Sequence, residues 1–257
     1  MLAGRSYFER VLPEQPWKGE ALLRLLMLVL LSLSTAALAM MLLAGPLAKA
    51  LGLEAQFITQ LVGFLSVQGL ALVWIGRFVR QHGLTWAQAF GLRDRPGRSV
   101  GVAFLVMLLV IPLATAGIGG LMMWLLQLCG VAPEAQAAVT MLQKDMPGWQ
   151  LALLGFTAVV LAPLAEELLF RGILYTWIKQ RGHPRLALWG TSVLFGIIHV
   201  NLAALPSLCF LGLVFALLYE RTQNLLAPVT AHVLFNAVNF AAVVLDLPGW
   251  LEKISKP

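Results

Sequence analysis

The fold class this chain predicts is all-α, a polytopic bundle of about seven transmembrane helices with six to eight as the range. Three observations predict it. Hydrophobic residues make up 60% of the 257 residues, charged residues only 12%, and the mean hydropathy is +0.84. Soluble domains carry roughly 25% charged residues. Several apolar runs approach or exceed the roughly 20 residues that cross a hydrocarbon core of about 30 Å. The basic residues, finally, are dealt out loop by loop rather than along one amphipathic face, which reads as a topology signal and speaks against a nucleic-acid partner despite the net charge of +6.

In chain order the apolar runs fall at about 22–45, 57–78, 100–128, 149–178, 185–200, 206–220 and 226–246. The first run is longer than the roughly 7 to 15 residues of a signal-peptide core, so an uncleaved first helix is expected. Between the second and third runs, RFVRQHGLTWAQAFGLRDRPGRS (77–99) is the longest polar connection, with a short amphipathic piece near Trp86 to Phe90 placed at the membrane interface. This loop divides the chain into an amino-terminal part, 1–99, and a helical domain, 100–257, whose core is expected at about 149–240. Pro112 and the run Gly117 to Gly120 predict a bent or closely packed third span. Residues 130–148 read as an external loop. Cys129 and Cys209 lack metal-type spacing and are expected as small buried side chains rather than a disulfide.

Arg5, Arg10, Lys18 and Arg24 precede the first span; the loop after the second holds Arg77, Arg80, Arg93, Arg95 and Arg98; the fourth region holds Arg171, Lys179, Arg181 and Arg185; the sixth has Arg221. Lys49, Lys144, Lys253 and Lys256 fall on the alternate side. The amino terminus is therefore expected in the cytoplasm and the carboxyl terminus outside a cytoplasmic membrane.

Residues 165–174, AEELLFRGIL, place two carboxylates and a guanidinium inside an apolar stretch. Charge at that depth is costly and asks for a functional reason. Adjacent helical residues point about 100° apart, so Glu166 and Glu167 cannot share one task. Glu167 and Arg171, four apart with the acid first, form a favourable helical ion pair. Glu166 has no charged neighbour on its own face. His199 in LFGIIHV, and His232 with Asn236 on one face of APVTAHVLFNAVNF, bring further polar groups to apolar runs. Each has a structural alternative: a span boundary at the glutamates, a core histidine, an interhelical hydrogen-bond patch.

The segments EELLFR (Glu166 to Arg171), FGIIH (Phe195 to His199) and HVLFN (His232 to Asn236) resemble the three motifs of the CAAX protease and bacteriocin-processing family of intramembrane proteases, the Abi family, of the CAAX prenyl protease 2 type. The resemblance covers Trp149 to Phe240. It implies an intramembrane endopeptidase that cleaves a membrane-associated or lipidated protein or peptide, prenylated or not. It assigns Glu166 and His199 to water activation and His232 with Asn236 to the substrate carbonyl, with Glu167 and Arg171 in support. No cofactor is favoured. The alternative is zinc on Glu166, His199 and His232, a known hydrolase ligand set. Two other classes fit buried Glu and His: a transporter or proton relay, and a non-catalytic binding or immunity protein of the same fold.

Depth poses a difficulty. A fifth span starting at Pro184 puts His199 about 22 Å from the inner boundary, whereas His232, soon after Pro228, is only about 6 Å in. The two meet only if their helices start at different heights.

Overall fold

The computed structural model describes residue 12 and residues 14–131, residue 142 and residues 146–246. Arg5, Arg10, Lys144, Lys253, Lys256 and most of the 130–148 connection lie outside the described residues. Among the described residues every regular element is helical: α1 Gly19–Leu51, α2 Ala55–Gln81, α3 Trp86–Phe90, α4 Pro96–Leu128, α5 Gly148–Gln180, α6 Leu186–Ile197, α7 Leu205–Thr222 and α8 Leu226–Val244. All but α3 and α6 are long and apolar enough to cross a bilayer, giving six candidate spans. This is a multi-pass membrane protein. The fifth apolar run folds as α6, whose 12 residues reach only about 18 Å and fall short of a hydrocarbon core. Large apolar side chains such as Leu30, Met41, Leu105 and Leu109 are exposed on α1 and α4, as expected of surfaces that meet lipid tails.

The chain forms two compact units, and α1, α2, α5 and α8 each pass from one into the other. One unit holds residues 25–74, 134–165 and 233–257. Its apolar centre joins Ala48, Phe57, Ile58 and Leu154, with the Trp149 ring edge-on to Phe57 at 5.5 Å. Trp74 Nε1 donates to Ser32 Oγ at 2.9 Å, so this indole is paired within the apolar surroundings.

The other unit holds residues 1–24, 75–133 and 166–232. In α4 the turns widen from Leu113 to Gly119, directly after Pro112. That is the distortion the proline predicts, since its ring displaces the preceding carbonyl and it offers no donor. The Ala114 carbonyl is satisfied from outside by Ser207 Oγ at 2.7 Å, which ties α4 to the start of α7. Thr85 and Gln88 form a reciprocal cap that starts α3, and Phe90 is fully buried. Cys129 is exposed rather than buried because it lies just past the end of α4; Cys209, on α7, is half-buried, and both are free thiols.

Candidate active site

The depth difficulty is resolved inside the second of these units. From Glu166, α5 runs 14 residues further to Gln180, about 21 Å. The chain then reverses, and α6 with its last turn returns 13 residues from Leu186 to His199, about 20 Å, back to the level of Glu166. The last helix starts higher. Leu225 N–H donates to the Phe90 carbonyl at 3.0 Å, so the foot of α8 rests on α3 rather than level with the end of α5. A Cβ placed on Gly172 would lie 2.5 Å from the Phe90 ring and 3.7 Å from Leu225, which puts Leu225 level with Gly172. Counting six residues back from Gly172 reaches Glu166, about 9 Å, and seven forward from Leu225 reaches His232, about 10 Å. Sequence reading missed this brace of α3 under α8.

Glu166, His199 and His232 converge on one oxygen. Glu166 Oε2 lies 3.8 Å from His199 Nε2 and 3.9 Å from His232 Nε2. The far nitrogen of each ring is already committed: His199 Nδ1 is 2.7 Å from the Phe195 carbonyl, and His232 Nδ1 is 2.9 Å from Glu167 Oε1. Facing acceptors, each Nδ1 carries a proton and donates it, which turns the lone pair of a neutral ring's Nε2 toward Glu166. Three acceptor atoms thus face one another, and Glu166 Oε2 has no hydrogen-bond partner among the described residues. Such a set is satisfied by a proton donor or by a cation; a water is the smallest donor, and it can serve two of the three acceptors at once. The site is partly open, with the Glu166 side chain 22% and the His199 side chain 27% exposed.

Beneath it lies a closed layer. Glu167 and Arg171 are both fully buried, and Arg171 Nη1 donates to Glu167 Oε1 at 2.7 Å. The same oxygen accepts from His232, so Glu167 couples the ion pair to the imidazole, a link the sequence did not reveal. Arg171 Nη2 donates to the Gly212 carbonyl at 3.1 Å, and its guanidinium lies over Phe195 at 4.6 Å and near Phe215 at 5.3 Å. Phe215 stacks on His232 at 5.0 Å and 24°, and Phe195 meets His199 edge-on at 4.9 Å. Phe195 was visible as part of FGIIH, but nothing local marked Phe215.

The sequence of α5 explains why its glutamates can project. The stretch Ala162–Glu167 is ordinary α-helix, flanked by wide turns at Thr157–Leu161 and Leu168–Tyr175. Wide turns of this kind gather at functional sites.

Asn236 falls in the other unit, one turn beyond His232 along α8. There its Nδ2 donates to the Ala158 carbonyl at 2.9 Å. In the wide turn Ala162 N–H bonds back five residues to Thr157, so the next donor in register for Ala158 would be residue 163. Residue 163 is proline and has no N–H. The Asn236 amide replaces the missing donor and keeps one further N–H of its own.

The donor types suit zinc, and their spacing is a few tenths of an ångström wider than a regular tetrahedral ion sets it. Tetrahedral zinc at about 2.1 Å from each donor brings the donors to about 3.4 Å of one another, less than the 3.8 and 3.9 Å found. Among the described residues no group of three or more His, Cys, Asp and Glu is placed to hold a metal ion.

Fold and site together define a multi-pass helical membrane protein with a Glu/His cluster held by a buried ion pair. Comparison with known proteins agrees with the motifs: a family model described as "Type II CAAX prenyl endopeptidase Rce1-like" matches residues 148–238, which hold every residue of the cluster. The resemblance read from the three motifs is thereby shown. The chain is 30% identical over 96 residues to "Putative membrane peptidase YdiL" of Bacillus subtilis (strain 168), covering 37% of this chain and 39% of that protein. It is 35% identical over 83 residues to "Uncharacterized protein YpbD" of the same organism, covering 31% of this chain and 40% of the relative. The matched region thus spans about two fifths of the length of these curated relatives. No solved structure matches.

Proposed function

We propose that the chain is an intramembrane endopeptidase that hydrolyses a peptide bond of a membrane-associated or lipidated protein by a water activated at Glu166 and His199. The observation that carries this reading is the convergence of Glu166 Oε2 with the Nε2 atoms of His199 and His232 at 3.8 and 3.9 Å. A water between them donates to Glu166, which takes its proton as the oxygen attacks the carbonyl; His199 relays a proton to the departing amine. The developing oxyanion is met by His232, with which the family resemblance pairs the Asn236 amide. Donation from His232 Nε2 requires that ring to carry both protons, and the Glu167 carboxylate at Nδ1 is the group that stabilises that form.

Resemblance to the type II prenyl endopeptidases makes prenylated proteins one substrate class to test and unmodified membrane proteins the other. The matched relatives' names do not choose between them. A Glu166→Ala variant expressed in place of the wild type should retain uncut substrate, identified by mass spectrometry of what co-purifies. A variant that captures the same proteins as the wild type contradicts hydrolysis.

A further inference from the structure

Away from the Glu/His cluster, the unit that holds it contains a cavity of about 770 Å³ between α4 and α7. Its wall changes character along its length. Val102 and Val106 of α4 and Val214 and Leu217 of α7 make an apolar strip, while Arg95, Arg98 and Arg221 stand at one end with a single carboxylate, Asp94, among them. Among the described lining residues Arg95 and Arg98 alone outnumber the one carboxylate, which favours an anion. Arg95 is held at φ 44°, in the left-handed region that a non-glycine residue enters at a cost, and this turn sets it immediately before Pro96 at the head of α4. Backbone strain of this kind collects at ligand clamps. Because α4 and α7 are both long enough to span the bilayer, the apolar strip runs into the membrane from the arginine end.

We propose that this cavity binds an anionic phospholipid, its phosphodiester headgroup on Arg95 and Arg98 and an acyl chain along the valine and leucine strip. A free phosphate would satisfy the arginines and leave the strip uncovered; a zwitterionic lipid would carry its own cation to the arginines. Basic pockets between helices at the membrane surface have this ligand chemistry. The site shares a helix with the chemistry. Gly212 and Phe215 of α7 touch Arg171 and His232, while Val214 and Leu217, two positions on from each, face the cavity side, so a bound lipid steadies the element that holds the histidine.

Lipid retention tests this without any substrate. Full-length protein, extracted from vesicles of mixed phosphatidylglycerol and phosphatidylcholine, is expected to keep phosphatidylglycerol selectively by native mass spectrometry. Arg95→Gln with Arg98→Gln should weaken retention roughly fivefold per arginine. Arg98→Lys should keep most of it, and Arg185→Gln, outside the cavity, all of it. Glycerol phosphate at matched concentration should not displace the lipid. Equal retention of both lipids, retention unchanged in the double variant, or displacement by glycerol phosphate overturns the proposal. Since none of these readouts involves cleavage, they stand apart from a failure of the proposed hydrolysis.

Discussion

Glu166 and Glu167 are chemically identical neighbours with opposite surroundings. Glu166 is partly open and faces two imidazole lone pairs, whereas Glu167 is sealed between Arg171 and His232. Glu166→Gln is therefore expected to lower cleavage by about 10²-fold or more with an unchanged thermal midpoint in detergent. Glu167→Ala should instead destabilise the fold by about 3–5 kcal/mol, because it leaves the Arg171 guanidinium buried and unpaired. Loss of stability on Glu166→Gln, or none on Glu167→Ala, would reverse these roles. On the proposed reading Asn236 carries both kinds of duty. Asn236→Ala orphans the Ala158 carbonyl and should cost about 1–3 kcal/mol, while Pro163→Ala supplies a backbone donor and should restore most of that stability in the double variant. The same double variant should still fail to cleave if the amide also serves the oxyanion. The different surroundings of the two glutamates were legible from the 100° between neighbours and from the i,i+4 arginine. The bond from Glu167 to His232 was not, since a contact spanning 65 residues leaves no local pattern.

At the scale of elements, α6 decides whether His199 reaches the site. Hydropathy alone extends the fifth run to about residue 200, because apolar residues continue past Ile197. What ends the helix is conformational: Val200 turns left-handed at φ 48° and is 92% exposed, and Asn201 Oδ1 accepts from Ala204 N–H at 2.8 Å to start α7. The α6 and α7 backbones then pack closely through small residues. A Cβ on Gly212 would lie 2.9 Å from Ser192 Cα, and one on Gly196 would lie 2.6 Å from Cys209 Sγ. Gly212→Ala is therefore expected to cost about 1–3 kcal/mol and to lower cleavage by moving α6, whereas Gly45→Ala in the open face of α1 should be neutral or slightly stabilising. Thermal midpoints and cleavage rates of the two variants check this; equal effects would deny the close crossing. The Ser192 and Gly196 pair, four apart, was the available sequence signal for that crossing.

For the whole molecule, the six long apolar helices were legible because length and composition alone specify a span. The shortness of α6 and the raised start of α8 were not, because both are set by tertiary packing, on α7 and on Phe90. The orientation proposed from the basic loops keeps Arg98 on the cytoplasmic side and Cys129, at the other end of α4, outside. A membrane-impermeant maleimide should then label Cys129 in intact cells, and should label Arg98→Cys in a Cys129→Ala background only after permeabilisation. The reverse pattern inverts the topology.

The most direct test of a single Glu/His site is a quantitative survey of new peptide amino termini in membranes from cells expressing wild-type protein or one of three variants, Glu166→Gln, His199→Ala and His232→Ala. The prediction is one set of termini made by the wild type and lost equally in all three, with a double variant no worse than a single one. Termini that persist in Glu166→Gln, or that separate into different sets among the three variants, would contradict it.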